Sequence, residues 1–168
     1  MIRSLLHKFF DTGHSIGIDL EFLEKGKLKA TLCLLQNTSG ELKQVDVQQF
    51  DTYEQLFVYL KDAVQAPIYL NLRGSGVIQQ VHDQENKTIT AKGLCRSHQG
   101  IDAIHLAALA REEFILSVIH RFTAEKHLVL GVHLGLYLSP VTSLIQKAQI
   151  GIDKNRLLHF ENGRATLQ

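Results

Sequence analysis

At 168 residues the chain has the length of one medium domain, or of two small ones that share a core. It is 45% hydrophobic, which is enough for a substantial core and excludes a disordered tail. Lys and Arg number 18 and Asp and Glu number 17, so the net charge of +1 argues against broad nucleic-acid binding. The only two cysteines, Cys33 and Cys95, are too few for a disulfide-stapled secreted domain and favour a reducing compartment.

No apolar run in the sequence is long enough to span a bilayer. The longest covers residues 128–138 and is interrupted by His133, whereas a spanning helix needs about 20 residues. Residues 1–10 contain three basic or titratable side chains and no small-residue cleavage site, unlike a signal peptide. We expect a cytoplasmic protein, and leave open that it is the soluble part of a longer membrane-attached one.

Residues 2–10 place apolar side chains at helical spacing, which predicts a short N-terminal helix. Its apolar residues Leu6, Phe9 and Phe10 are candidates for contacts with a partner protein. The alternative is that this helix packs on its own domain.

Three strands are predicted before residue 51. Ser15–Phe22 alternates apolar with small or acidic residues, which is the period of a strand. Leu28–Gln36 and Leu42–Phe50 follow, separated by turn-forming residues at 24–27 and 37–40. Together the three predict an antiparallel meander.

A helix is predicted next, capped by Thr52 or Asp51 and ended before Pro67. Ile68–Leu72 is nearly all apolar, as is typical of an interior, parallel strand. After Gly74-Ser75-Gly76 we expect a hairpin formed by Val77–Val81 and Thr88–Ala91.

The apolar pattern of residues 101–126 predicts one long helix. Residues 128–134 predict a strand, and Pro140 begins a short helix that ends near Lys147. The last predicted strands are 148–153 and 157–160.

One short motif occurs twice. Ile16-Gly17-Ile18-Asp19 returns as Ile150-Gly151-Ile152-Asp153, and each copy lies in a predicted strand. Three antiparallel strands, a helix and further strands follow the order of the ribonuclease-H-like fold. The second copy falls where a second such unit of an actin-like ATPase fold would begin.

The chain resembles the actin-like proteins of bacterial type II secretion and type IV pilus machines, the GspL/PilM group. The resemblance rests on Ser15–Asp19, on Pro67–Leu72 running into Gly74–Val77, and on Val132–Gly135 before Pro140. It implies an α/β fold with a first ribonuclease-H-like unit at 1–147, including a hairpin insertion near 74–93. Residues 148–168 would then be the start of a second unit or a closing hairpin.

The resemblance also implies a function. The chain would be a non-enzymatic scaffold of a secretion or pilus assembly platform, near the inner membrane and in contact with other platform proteins. Residues 135–138 are a second candidate contact surface, and a homodimer is left open. Membrane contact would be indirect, or made by residues outside this chain.

ATP binding is the first alternative. In active actin-like proteins the turn after the first strand is small, because backbone N–H groups must approach phosphate oxygens. Here Asp19 is followed by Leu20-Glu21-Phe22-Leu23-Glu24, which is bulky and partly acidic. Asp153 is followed by Lys154-Asn155-Arg156, without glycine. We therefore expect Asp19 and Asp153 to be remnants of a nucleotide site and expect no bound cofactor.

A ribonuclease-H-like nuclease is the second alternative. It needs several carboxylates around two metal ions, and the candidates beside Asp19 are Asp62, Asp83 and Asp153. The nine histidines show no metal-binding motif, so no metal site is expected. Arg73 next to Gly74-Ser75-Gly76 is a candidate anion ligand, but we favour the simpler interpretation of a turn that joins two strands.

Overall fold

The computed structural model describes residues 13–38, 41–82, 92–101, 104–136, 147–151, 157–161 and 164–167. Within these ranges there are two α-helices, α1 (Tyr53–Asp62) and α2 (Glu112–Ala124). Its strands are β1 (His14–Phe22), β2 (Leu28–Thr38), β3 (Glu41–Phe50), β4 (Ile68–Gly74), β5 (Val77–His82), β6 (Leu94–Ile101), β7 (Ile104–Arg111), β8 (Val129–Leu134), β9 (Lys147–Gly151), β10 (Leu157–Glu161) and β11 (Arg164–Leu167). They divide into two compact units. One runs to Ser75 and resumes over Glu113–His133, and the other takes Gly76–Glu112 and the chain from Leu134 onward.

The first unit is built on a five-stranded sheet in the order β3-β2-β1-β4-β8. Strands β1 and β2 are antiparallel, as are β2 and β3, whereas β4 runs parallel to β1. A parallel neighbour requires a crossover connection, and α1 supplies it. This order confirms the predicted ribonuclease-H-like unit and the parallel strand at residues 68–72.

The core of the first unit lies on one face of this sheet. Along β1 the residues Ile16, Ile18 and Leu20 are buried and alternate with more exposed positions. The helices bury one stripe each, consisting of Leu56 and Leu60 on α1 and Ile115, Val118 and Phe122 on α2. This arrangement leaves the intervening side chains of β1 on the opposite face of the sheet.

Helix α1 begins with the predicted cap. The Oγ1 atom of Thr52 accepts a hydrogen bond of 3.2 Å from the backbone N–H of Gln55. The Gln55 side chain in turn accepts from the backbone N–H of Asp51 at 3.1 Å. The helix ends at Asp62, well before Pro67.

The second unit contains two antiparallel three-stranded sheets, β5-β7-β6 and β11-β10-β9. The predicted helix over 101–126 is wrong in its first part, because 104–111 is the central strand β7 and α2 begins at Glu112. Strand β7 is buried on both faces, and a continuous apolar run does not distinguish a buried strand from a helix. Strand β5 pairs with β7, and residues 83–91, with the expected hairpin partner, lie outside the described residues.

The second copy of the repeated motif also begins a meander. Strand β9 holds Ile150 and Gly151, and β9, β10 and β11 pair in the same sequential antiparallel way as β1, β2 and β3. Residues 152–153, and the helix predicted to begin at Pro140 as far as residue 146, lie outside the described residues. The division at 147/148 remains a prediction. Across the described ranges, no helix is both long and apolar enough to cross a membrane.

Candidate functional site

The candidate site lies on the side of the five-stranded sheet that faces away from the core. Parallel pairing of β1 and β4 sets Asp19 beside Asn71 and Glu21 beside Arg73. Since side chains alternate along a strand, these four positions share one face while Ile18, Leu20 and their neighbours fill the core on the other. The register therefore places two carboxylates of β1 next to an amide and a guanidinium of β4.

These four side chains form a hydrogen-bonded cluster. Asn71 Nδ2 donates to Asp19 Oδ1 at 2.6 Å, and Arg73 Nε donates to Asp19 Oδ2 at 2.8 Å. Arg73 Nη1 lies 3.0 Å from Glu21 Oε1. The charged side chains of Asp19, Glu21 and Arg73 are each about one third exposed, at 32%, 30% and 32%. Within this cluster both carboxylate oxygens of Asp19 have a partner from β4.

The cluster affects the ionisation of Arg73. Burial alone would lower its pKa, but the bonds to Asp19 and the charge of Glu21 outweigh burial and raise the pKa above its usual value. Arg73 therefore stays cationic, and its charge lies between two carboxylates. A hydrated Mg²⁺ held by Asp19 would need this same carboxylate.

The backbone of the turn after β1 forms a hydrogen bond within the turn. The backbone N–H of Leu23 donates to the carbonyl of Lys27 at 2.8 Å, and a short 3-10 turn covers Glu24–Gly26. Within this turn Lys25 and Gly26 both have positive φ, of 60° and 73°. The N–H of Leu23 is thus engaged by the protein itself, and Glu24 adds a negative charge to the turn.

The other predicted site residues are not gathered at this cluster. Asp153 lies outside the described residues, as do Leu6, Phe9 and Phe10 of the predicted N-terminal helix and the nuclease candidate Asp83. Asp62 is the last residue of α1. Among the described side chains, no group of three or more His, Cys, Asp or Glu is placed to hold a metal ion.

The second predicted contact surface, residues 135–138, is described as far as Leu136. The backbone N–H of Leu136 donates to Gln79 Oε1 at 2.9 Å, and the Leu136 carbonyl accepts from Gln99 Nε2. Gly135 is buried, so the described half of this segment packs within its own unit.

Sequence reasoning missed Asn71 and Glu21 as members of the site. Asn71 was treated only as a strand residue and Glu21 only as an acidic residue unfavourable to a triphosphate, although Asn71-Leu72-Arg73 alternates polar and apolar residues inside a strand that is otherwise apolar. Polar residues at alternate positions of a predicted interior strand were the available signal. Arg73 was considered for anion binding, and the anions that it contacts are carboxylates of its own sheet.

The first unit also has a groove of about 520 Å³ at the start of α1. Two basic and two acidic side chains are among the residues that line it, namely Lys27, Arg121, Asp51 and Glu54. The Arg121 guanidinium lies 4.9 Å from the ring centre of Tyr53, and burial raises the pKa of Tyr53. This balance of charge gives the groove no clear preference for a charged ligand.

Comparison with known proteins supports the fold through structure alone. No family model and no curated protein sequence matches the chain. The structure is similar to the cytoplasmic domain of EpsL, an inner-membrane component of the type II secretion system of Vibrio cholerae. That match has a TM-score of 0.51 and 8% identity, and covers 92% of this chain and 71% of the EpsL chain.

The structure is also similar to a chain of the PilM–PilN type IV pilus biogenesis complex, with a TM-score of 0.55 and 11% identity. That match covers 92% of this chain but only 60% of the other, so this chain spans less than two thirds of that protein. The likeness to the secretion and pilus group, predicted from the sequence, is confirmed at the level of the fold.

Proposed function

We propose that this chain is a non-enzymatic scaffold domain of a bacterial type II secretion or type IV pilus assembly platform. Its fold is that of two proteins from such machines, one of them described as a component of the inner membrane. On this proposal the domain acts in the cytoplasm, close to the inner membrane, by holding other platform proteins.

The pairing of Arg73 with Asp19 is the observation that supports a non-enzymatic role. Asp19 is the residue that the resemblance assigns to a nucleotide site, and its carboxylate is bound by Asn71 and Arg73 at 2.6 and 2.8 Å. A fixed guanidinium beside the carboxylate repels a second cation, because like charges at close range are unfavourable. The turn at Glu24 is acidic, and its backbone hydrogen-bonds within the turn. It therefore does not offer a triphosphate a loop of small residues with free backbone N–H groups.

The partner class follows from the same comparison. One similar structure is a complex of PilM with PilN, so we propose an inner-membrane assembly protein as the partner of this chain. The N-terminal residues Leu6, Phe9 and Phe10 remain the proposed contact surface, since large apolar side chains dominate most protein interfaces.

Nucleotide binding separates the scaffold from an ATP-binding protein. Isothermal titration with Mg²⁺-ATP at millimolar concentration is expected to give no heat of binding, and the melting temperature is expected to stay unchanged. Arg73→Ala, which frees Asp19, serves as the informative variant, with Lys43→Ala on the exposed part of β3 as its control. Saturable ATP binding by the wild-type chain would contradict the proposal.

Partner binding tests the platform role directly. Co-purification of the tagged chain from its own bacterium should recover a secretion or pilus assembly protein, identified by mass spectrometry and then confirmed with purified components. The triple variant Leu6→Ala, Phe9→Ala, Phe10→Ala should lose this partner. If purified platform proteins fail to bind the wild-type chain, the scaffold assignment fails, whatever the result with ATP.

A further inference from the structure

The groove at the start of α1 is bounded by three segments of the first unit, which are the β1–β2 turn, residues 51–54 and one side of α2. Its volume of about 520 Å³ lies within the range of small-molecule sites. The lining residues of α2 share one stripe of the helix, because they are spaced by three or four residues, and they are Phe114, Ser117, Val118 and Arg121. At a rise of about 1.5 Å per residue, the first and last of them lie about 10 Å apart along the helix.

The end of the groove at Phe114 is aromatic. The rings of Phe22 and Phe114 meet edge to face, with ring centres 4.9 Å apart. Ser117, one turn further along α2, has a small side chain whose hydroxyl donates to the Phe114 carbonyl at 2.7 Å. Because this hydroxyl is engaged within its own helix, this end of the groove favours a ligand ring, which can extend the aromatic pair by offset or edge-to-face contact.

The end of the groove at Arg121 carries charges of both signs. The Arg121 guanidinium lies 4.9 Å from the ring centre of Tyr53, and this cation–π contact restrains its position. Asp51 and Glu54 lie on either side of Tyr53 in the chain and also line the groove. Hydrogen bonds from its own backbone N–H and from Thr52, together with the charge of Arg121, hold the pKa of Glu54 below its usual value, so Glu54 stays negative.

Arg121 and Asp51 are oppositely charged but do not pair with each other. Among the residues that the structure describes, neither side chain has an ion-pair partner. An acid and a base that line one groove without contacting each other can bind the two opposite charges of a single ligand. A ligand with one charge of each sign suits this lining better than a simple anion or cation, which one of the two side chains would repel.

We propose that this groove binds a free aromatic amino acid in its zwitterionic form. The ligand ring packs against Phe22 and Phe114, the carboxylate accepts hydrogen bonds from Arg121, and the ammonium group pairs with Asp51. Arginine suits this role because its planar fork of donors matches a carboxylate. The distance between the two ends of the groove selects for a large side chain, since a small one would leave the aromatic end empty. This site is independent of the proposed scaffold function and of the Asp19 cluster.

A series of related ligands tests the proposal. Isothermal titration of the wild-type chain with L-phenylalanine or L-tryptophan should show one ligand per chain, with a Kd below about 1 mM. L-alanine, which has no ring, should give no heat of binding. N-acetyl-L-phenylalanine and L-phenylalanine amide each lack one charge and should bind at least about tenfold more weakly than L-phenylalanine. Absence of binding by both aromatic amino acids, or equal affinity for the three phenylalanine compounds, would overturn the proposal.

Variants of α2 locate the ligand. Ser117→Phe fills the groove and should abolish binding, and Arg121→Gln should weaken it by at least about tenfold. Both side chains are exposed, so we expect both variants to fold, which their melting temperatures without ligand will check. Leu116→Ala, at an exposed position of the same helix outside the groove lining, is the matched control and should bind as the wild-type chain does.

The melting temperature gives a second readout. L-phenylalanine at several millimolar should raise it for the wild-type chain and for Leu116→Ala but not for Ser117→Phe, because a ligand that binds only the folded state stabilises that state. Binding that survives in Ser117→Phe, or a loss in Leu116→Ala as large as in Arg121→Gln, would place the ligand elsewhere and refute this site.

Discussion

The five-stranded sheet and the small sheet β5-β7-β6 bury their apolar side chains in different ways. On β1 the apolar residues alternate, and two helices supply the buried stripes of the first unit. On β7 the run Leu106–Ala110 is buried without alternation, and three of its five residues are alanine. Its paired neighbours include the long side chains Gln79, opposite Ala108, and Gln99, opposite Leu106.

The contrast explains which parts of each unit depend on large side chains. In the first unit a few large residues fill the space between helices and sheet, so we expect single deletions to be costly. In the small sheet, small side chains allow the backbone of another segment to come close, and large side chains are not needed to fill the space. Gly135 lies so near Ala108 that an added Cβ would be 2.8 Å from the Ala108 Cβ. Substitutions that add atoms should therefore harm the small sheet most.

The largest expected effect is Phe122→Ala in the first unit. Phe122 is fully buried and makes edge-to-face contacts with Phe57 and Tyr53 at 5.2 and 6.4 Å. Its removal should lower the free energy of unfolding by about 3–5 kcal/mol, measured by urea denaturation. Leu116→Ala, on the exposed side of the same helix, should change it by about 0.5 kcal/mol or less. Equal losses in the two variants would refute this description of the core.

Gly135→Ala is the corresponding test of the small sheet. Gly135 has φ of +77°, and the new Cβ would also lie 2.9 Å from Gln79 Oε1. Backbone strain and overpacking together should lower the free energy of unfolding, measured by urea denaturation, by about 2–3 kcal/mol. Gly26→Ala is the control, because its φ is +73° but nothing lies within 4 Å, so only strain of about 1 kcal/mol remains. A larger loss in Gly26→Ala than in Gly135→Ala would reverse the argument about close packing.

The same contrast shows what the sequence could predict. Alternation in residues 15–22, turn residues and the Thr52 cap are local signals, and they predicted β1, β2, β3 and the start of α1 close to their observed positions. The pairing of β5 with β7 joins residues about thirty positions apart, and the uniform apolar run of β7 carries no strand period. Both features depend on tertiary contacts, which local patterns do not encode.

The candidate site was predictable only in part, for a related reason. Asp19 stood out because its motif is repeated, but its partners Asn71 and Arg73 are more than fifty residues away. Only the parallel register of β1 and β4 brings them together. A sequence that predicts two strands does not specify which residues lie opposite each other.

Arg73→Ala should have a smaller effect than either packing variant. It leaves Asp19 and Glu21 on one face without their shared cation, and should cost about 1–2 kcal/mol. The side chains are one third exposed, so water screens part of the interaction. Adding Asp19→Asn to Arg73→Ala should recover part of the loss in urea denaturation, since one unpaired charge is removed. If the double variant is less stable than Arg73→Ala alone, the cluster does not act through charge pairing.

The smallest expected effect is a pH dependence that originates at His127. Its ring stacks on Phe57 with ring centres 6.1 Å apart, and its Nε2 atom is buried without a hydrogen-bond partner in the described part of the chain. Burial lowers the pKa of His127, Lys61 lowers it further, and Glu125 partly opposes them. The unfolded chain therefore takes up a proton first as the pH falls, at about pH 6.5.

Stability from His127 is consequently complete above about pH 6.5 and is lost as the pH falls toward the lower pKa of the folded state. Urea denaturation at about pH 7.5 and about pH 5 should show a smaller loss for His127→Phe than for the wild-type chain. Phenylalanine keeps the stacking surface but cannot take up a proton. His120→Gln, on the exposed side of α2, should keep the wild-type loss. An unchanged loss in His127→Phe would mean that the acid sensitivity of the first unit arises elsewhere, and that the aromatic packing around Phe57 tolerates a charged imidazole.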